Sequence, residues 1–242
     1  MKVERVNPYG DSRDKAEQVE AMFDAIAPAY DFMNRAMTAG LDRLWLRTLV
    51  KAVRHSGARD IVDMATGTGD VALTLSRRIP GVRVTGLDIS EGMLAKAREK
   101  AGSEAVVFRQ ADCLATGLAD ESADAVTVAY GVRNFADIAS GYREMMRILR
   151  PGGSVFVLEL STPVSPVTLP LYKLYTRTLI PAAGRLISGD SRAYSYLPES
   201  IAAAPQREAM TDVMTAAGLS EATFRPLTFG VCTLYTAKKP QK

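Results

Sequence analysis

Histidine is almost missing from this chain: among 242 residues there is one, His55, together with only two cysteines, Cys113 and Cys232. A metal cage of the usual nitrogen and sulfur ligands is therefore not expected. Two widely separated cysteines imply no disulfide framework, which favours a reducing cytoplasm. No apolar run reaches the roughly 18 residues of a membrane-spanning helix. The opening Met1-Lys-Val-Glu-Arg-Val-Asn-Pro8 lacks the apolar stretch of a secretory signal. Charge of one sign is scarce as well: 30 Lys and Arg stand against 27 Asp and Glu, a net charge of +3. The basic residues are scattered, with no aromatic-interleaved stripe, so no nucleic-acid partner is expected. What remains is 47% apolar and 24% charged, the composition of a globular domain with a full core.

The most informative stretch is Asp63-Met-Ala-Thr-Gly-Thr-Gly-Asp70. It follows the apolar Ile61-Val62 and opens onto Val71-Ala-Leu-Thr-Leu-Ser-Arg-Arg78, a strand–glycine turn–helix pattern. Nineteen residues beyond Gly69, a second strand ends in Asp88. Glycines let the backbone approach a nucleoside-bearing cofactor, and an acid at the second strand's tip accepts hydrogen bonds from ribose hydroxyls. Gly67-x-Gly69-x-x-Ala72 also satisfies the dinucleotide fingerprint, which keeps a nicotinamide dehydrogenase open. Two further acids pull away from it. Asp63 sits where a pyrophosphate would meet negative charge but a methionine ammonium would not. Asp112 closes the third strand, within reach of an adenine amino group. Acids ending three successive strands fit a cationic, phosphate-free nucleoside such as S-adenosylmethionine.

The chain reads as one domain of four parts. Residues 1–55 form an N-terminal helical segment that serves as a lid, of which 1 to about 20 are polar and expected to be loose. Val19, Met22, Phe23 and Ile26 share one helical face, and Leu44, Leu46, Leu49, Val50 and Val53 another. Residues 56–160 alternate strand and helix: strands 60–65, 82–87, 105–110, 123–129 and 154–160, and helices 71–79, 93–101 and 138–149, the last stopped by Pro151-Gly-Gly153. Such alternation predicts right-handed crossovers and a parallel sheet covered on both faces. Residues 161–207 break the rhythm with Pro163, Pro166, Pro170, Pro181, Pro198 and Pro205 and several tyrosines. A helix over 207–217 and two strands joined through Phe229-Gly230 complete the chain as a hairpin (208–242).

Tyr30-Asp-Phe-Met-Asn-Arg-Ala-Met-Thr-Ala-Gly-Leu-Asp-Arg-Leu-Trp45, Tyr130-Gly-Val-Arg-Asn134 and Arg147-Ile-Leu-Arg-Pro-Gly-Gly153 resemble the signatures of the menaquinone/ubiquinone biosynthesis C-methyltransferase family. Tyr194-Ser-Tyr-Leu-Pro-Glu-Ser200 and Leu227-Thr-Phe-Gly-Val231 are similar to it too, so the likeness spans nearly the whole chain, and it is closer to the demethylmenaquinone branch. The resemblance implies a class I S-adenosylmethionine-dependent methyltransferase fold of the α/β, Rossmann-like type: a mostly parallel seven-stranded sheet with a C-terminal antiparallel hairpin. It implies methyl transfer from S-adenosylmethionine to a ring carbon of a prenylated hydroquinone, demethylmenaquinol first, with a benzoquinol or a non-catalytic cofactor-binding role as alternatives. It assigns cofactor contacts to Thr68, Asp88, Asp112 and Cys113, with backbone approach at Gly67 and Gly69.

The chain departs from the pattern at four positions. Ala129 stands where some members have a cofactor-touching serine, Thr38 and Asp42 replace serine and histidine, and Ala65 replaces the first glycine of the loop. Arg133 and Asn134 follow the fourth strand at the edge where open α/β sheets bind ligands, and are the candidate catalytic pair. Tyr30 is a candidate lid residue over the cofactor. Tyr172, Tyr175, Tyr194 and Tyr196 are either packing residues or walls of a prenyl groove. His55 is expected to be a surface or helix-end residue. The apolar, basic-punctuated segment 167–180, with Arg185 beyond it, reads as an interfacial patch for peripheral membrane contact. Oligomeric state stays open, a homodimer included.

Overall fold

Side chains alternate across a strand, and the central strands of this chain are apolar at nearly every position, which commits both of their faces to a core. Val126, Val128, Val155 and Val157 point into one layer, Ala125, Phe156 and Leu158 into the other, and all seven are buried. The computed structural model describes residues 1–179 and 191–241. Seven strands form one sheet: β1 Asp60–Met64, β2 Arg83–Asp88, β3 Val106–Gln110, β4 Ala123–Ala129, β5 Leu149–Leu160, β6 Ser220–Leu227 and β7 Cys232–Lys238. Their order is β3-β2-β1-β4-β5-β7-β6, parallel except for β7, which runs antiparallel to both neighbours. The chain winds outward from β1 to β3, then returns to β4 on the other side of β1. A crevice opens at that switch point, beyond the carboxyl ends of the strands.

Helices α3 (Asp42–Ser56), α4 (Asp70–Arg78) and α5 (Glu91–Ala101) cover one face of the sheet. On the other face, α6 (Ile138–Ile148) presents Tyr142 and Met145 beside Met210 and Met214 of α9 (Glu208–Ala216). Helices α1 (Lys15–Ile26), α2 (Tyr30–Thr38), α7 (Thr168–Leu174) and α8 (Ser191–Ala203) complete the described helices, with a π-turn over Tyr175–Leu179. A third apolar cluster, Met22, Ile26, Met33, Met93 and Tyr196, ties α1 and α2 to α5 and α8. Among the described residues no helix is long and apolar enough to cross a membrane.

Three expectations are corrected. Residues 1–20 are not loose: Val3 is fully buried, and Asp14 starts α1 with a capping box, accepting from the Glu17 amide while the Glu17 carboxylate accepts from its own. Leu44 is 51% exposed and does not share the buried stripe of α3; Trp45 takes that place beside Leu49, Val50 and Val53. Pro151-Gly-Gly153 does not stop α6. The helix already ends as Leu149 turns extended, and the Pro-Gly-Gly segment lies inside β5, where the β4–β5 register shifts. A proline is tolerated at such an irregularity because no ladder donor is needed there.

Candidate functional site

The glycine turn bridges β1 and α4. Gly67 has φ +55° and a Cβ built on it would meet only Tyr30 Cε1, at 4.0 Å, so its backbone is open to a ligand. Gly69 serves a different end. Its φ is +81°, and a Cβ would lie 2.9 Å from Phe108 Cζ and 3.0 Å from Ala97 Cβ, so glycine is required there for packing against β3 and α5. Ala65 adopts φ +53°, the left-handed region that glycine prefers, so the loop carries local strain at this position.

The acids ending the strands separate into two roles. Asp63 is buried, and both its oxygens are occupied: Thr66 Oγ1 and Thr127 Oγ1 each donate at 2.6 Å. It lines neither cavity described below, so its carboxylate holds the loop and β4 together. Asp88 accepts from the Gly67 amide at 2.7 Å and the Ser90 amide at 2.9 Å and does face a cavity. Burial pushes both carboxyls up to about 6, against the hydrogen bonds that favour their charged forms. Asp112 is exposed just beyond β3, and burial pushes the neighbouring Cys113 thiol well above its ordinary value, the setting of a structural thiol.

After β4 a tight turn, Val132–Asn134, carries the second group. Arg133 is 6% exposed, and its Nη1 donates to Glu159 Oε1 at 2.8 Å and to the Tyr130 carbonyl. Glu159 Oε2 also accepts from the Arg133 amide at 3.2 Å. The guanidinium Nε is buried without a partner among the described residues. Burial alone would lower the Arg133 pKa, but Glu159 overrides it and holds the guanidinium charged. Asn134 Oδ1 accepts from the Tyr196 hydroxyl at 3.1 Å. Behind the turn, buried Lys15 donates to the Val3 carbonyl at 2.8 Å and the Arg133 carbonyl at 3.3 Å, and burial with the Arg133 charge brings it down to about 8.

Helix α2 closes over the glycine loop by a polar latch. Lys100 Nζ reaches Asp31 Oδ2 at 2.7 Å, Asp70 Oδ1 at 2.5 Å and Thr68 Oγ1 at 3.0 Å, and Thr68 Oγ1 donates to Asp31 Oδ1 at 2.5 Å. Two cavities meet beneath it. The smaller, of about 70 Å³, is lined by Asp88, Asp112, Cys113 and Gly67, with Val19 and Phe23 of α1 as its outer wall. The larger, of about 640 Å³, is mostly apolar and is lined by Arg133, Thr68, Tyr172, Tyr175, Tyr196 and Phe229 among others. Phe23, Tyr30, Ala65, Gly67, Ala129, Tyr130 and Asn134 line both. Of the sequence-selected residues, Tyr30, Gly67, Thr68, Asp88, Asp112, Cys113, Arg133 and Asn134 thus line this pair of cavities, while Asp63 and Gly69 stand behind the wall.

Tyr172, Tyr175 and Tyr196 all face the large cavity; the Tyr194 side chain and Arg185 lie outside the described residues. His55 is exposed at the end of α3, with Nδ1 2.6 Å from the Lys51 carbonyl. The polar neighbours of Tyr30, Asp31 and Asn34, already pointed to a lid in the sequence, and Asp31 is the residue that latches it; Glu159, Lys100 and Lys15 were missed. Of these only Glu159 gave a signal, as a carboxylate inside the apolar run Val155-Phe-Val-Leu-Glu-Leu160.

The family model described as the ubiE/COQ5 methyltransferase family matches residues 11–239. A demethylmenaquinone methyltransferase of Bacteroides fragilis is 44% identical over 98% of this chain and 98% of its own. The ubiquinone/menaquinone biosynthesis C-methyltransferase UbiE of Geobacter sulfurreducens is 42% identical over 95% of this chain and 91% of its own. Among solved structures, a SAM-dependent methyltransferase from Aquifex aeolicus superposes with a TM-score of 0.60 at 17% identity, over 81% of this chain and 92% of that one, a likeness of fold.

Proposed function

The chain belongs to the ubiE/COQ5 methyltransferase family, and we propose that it transfers a methyl group from S-adenosylmethionine to a ring carbon of a prenylated hydroquinone, demethylmenaquinol foremost. The observation that carries this reading is the seam where a small acid-lined cavity opens into a large apolar one that holds a buried arginine. The donor set fits the cofactor. Asp88 and Asp112 offer carboxylates to ribose hydroxyls and an adenine amino group, and Gly67 leaves room for close approach. Asp63 contributes by fixing the loop rather than by touching the ligand. Because Val19 and Phe23 wall the small cavity, seating a nucleoside there moves α1 outward.

The bound cofactor supplies an electrophilic methyl on a positively charged sulfur, so the protein's share is alignment and exclusion of water. Ring carbon is a weak nucleophile until the adjacent hydroxyl loses its proton. Arg133, with Nε free and its charge fixed by Glu159, stabilises that phenolate, and Asn134, held by Tyr196, orients the ring. Once methylated, the ring carbon would give up its proton to water, and the phenolate released from Arg133 would regain one. Tyr172, Tyr175 and Leu171 lead the prenyl tail outward.

Leu171 is 65% exposed and Phe229 80% at the rim of the same cavity, and Val164, Val167 and Leu174 are exposed alongside Lys173. This apolar rim supports peripheral docking on a bilayer, from which the tail enters. The test is methyl transfer from labelled S-adenosylmethionine to reduced demethylmenaquinone in detergent, beside its benzoquinol counterpart. Label in the naphthoquinol supports the reading, and label in both extends it to two quinones. No label in either overturns it.

A further inference from the structure

The Arg133 turn is not the large cavity's only polar feature. Thr38 closes α2 and Asp42 opens α3, and both side chains line this cavity. Thr38 Oγ1 donates to Asp42 Oδ1 at 2.8 Å, which aims the carboxylate and leaves Oδ2 without a hydrogen-bond partner among the described residues. The hydroxyl of Tyr130, on the same cavity wall, is buried and has no partner among the described residues. Its position is not accidental slack. Tyr130 holds the left-handed conformation at φ +59°, its amide donates to the Leu158 carbonyl at 2.7 Å, and its ring stands edge-on to Trp45 with centroids 6.4 Å apart. Trp45 Nε1 is committed to Thr228 Oγ1 at 2.8 Å and offers nothing to the phenol. Burial first, and then nearby charges including that of Asp42, hold the phenol well above its ordinary value, so it stays a donor.

A buried hydroxyl without a partner, with a half-buried carboxylate oriented by Thr38 on the same cavity wall, is completed by a ligand that brings polar atoms of its own. A 1,4-dihydroxy aromatic ring carries two such groups, and Arg133 accounts for one. We propose that Asp42 and Tyr130 form a second oxygen subsite, which receives the substrate hydroxyl para to the one activated at Arg133. The subsite reads the redox state of the substrate. A carboxylate accepts an O–H from the reduced ring but meets only lone pairs on the carbonyl of the oxidised quinone. Tyr130 supplies a donor to the same oxygen, whose own proton goes to Asp42. This inference rests on the prenylated-hydroquinone reading above.

The test pairs two substrates with two variants. One substrate is reduced demethylmenaquinone; the other is a prenylated 1-naphthol that keeps the hydroxyl next to the methylated carbon and lacks the second. Wild type is expected to favour the dihydroxy ring by about tenfold or more in kcat/KM. Asp42→Ala and Tyr130→Phe each lose that preference by slowing the dihydroxy substrate far more than the monohydroxy one. Tyr130→Phe removes a single oxygen and keeps the ring against Trp45, so it reports even if Asp42→Ala folds poorly. Equal slowing of both substrates in the variants overturns the subsite and leaves the proposed function standing. Titration of both compounds into the wild-type protein gives the same preference without turnover, and equal affinities there overturn the subsite as well. Binding with the expected preference but no methyl transfer to either compound overturns the proposed function instead.

Discussion

Arg133 and Glu159 are 6% and 2% exposed, so neither charge is shared with water, and the two form one unit. Removing one member of such a pair strands the other, at about 3–5 kcal/mol. For a chain of this size each kcal/mol is about 2–4 °C in Tm, so Arg133→Met and Glu159→Gln should each lower Tm by roughly 6–20 °C. Glu159→Gln falls at the low end, because the amide oxygen still accepts from one of the two amides, Arg133 and Leu160, that the carboxylate serves. Combining them removes both charges. The double variant should recover at least about 2 kcal/mol relative to the sum of the singles. Thermal and urea unfolding followed by circular dichroism measure all four proteins. Additivity within about 0.5 kcal/mol would refute the pairing, since independent sites add within that margin.

Gly69→Ala should destabilise the fold by about 1–3 kcal/mol, through its +81° φ and the clash with Phe108, and leave the affinity of the folded fraction intact. Gly67→Ala should do the reverse, weakening cofactor affinity with less effect on Tm, and isothermal titration beside thermal melts separates the two. Asp63 and Asp88 have folded values of about 6, above the unfolded value of about 3.9, so the stability they contribute is full below about pH 4 and is lost as pH rises through about 6. Asp63→Asn should therefore flatten the fall in stability between pH 4 and 6, by up to about 3 kcal/mol. A slope unchanged from wild type would show that the buried carboxyl is not titrating there. Lys100→Met should alter stability by less than about 1 kcal/mol, because its partners are partly exposed. It should still speed cofactor release in stopped-flow experiments by freeing α2 from the glycine loop.

The parallel core was legible because its strands are short, apolar and punctuated: β4 ends where its sequence pattern ends, at Ala129, and β1 differs by one residue. The N-terminus was not, since Val3 and Lys15 are buried by contacts with the distant Arg133 turn, which no local pattern encodes. The same holds in the site. Glycines and strand-end acids announce a ligand, but Gly67 and Gly69 look alike in sequence, and only the position of Phe108 makes one a packing residue. Asp63 and Asp88 likewise end neighbouring strands. The two threonines beside Asp63 turn its carboxylate into a fastener, while Asp88 faces the cavity.

The most direct test of the two-cavity account uses the Arg133→Met/Glu159→Gln double variant, which keeps the fold while removing the phenolate-stabilising charge. S-adenosylhomocysteine affinity and methyl transfer to demethylmenaquinol are measured on the same preparation. Affinity equal to wild type is expected, with turnover lower by about 100-fold or more. Affinity and turnover lost together, or turnover retained, would contradict the two-cavity account.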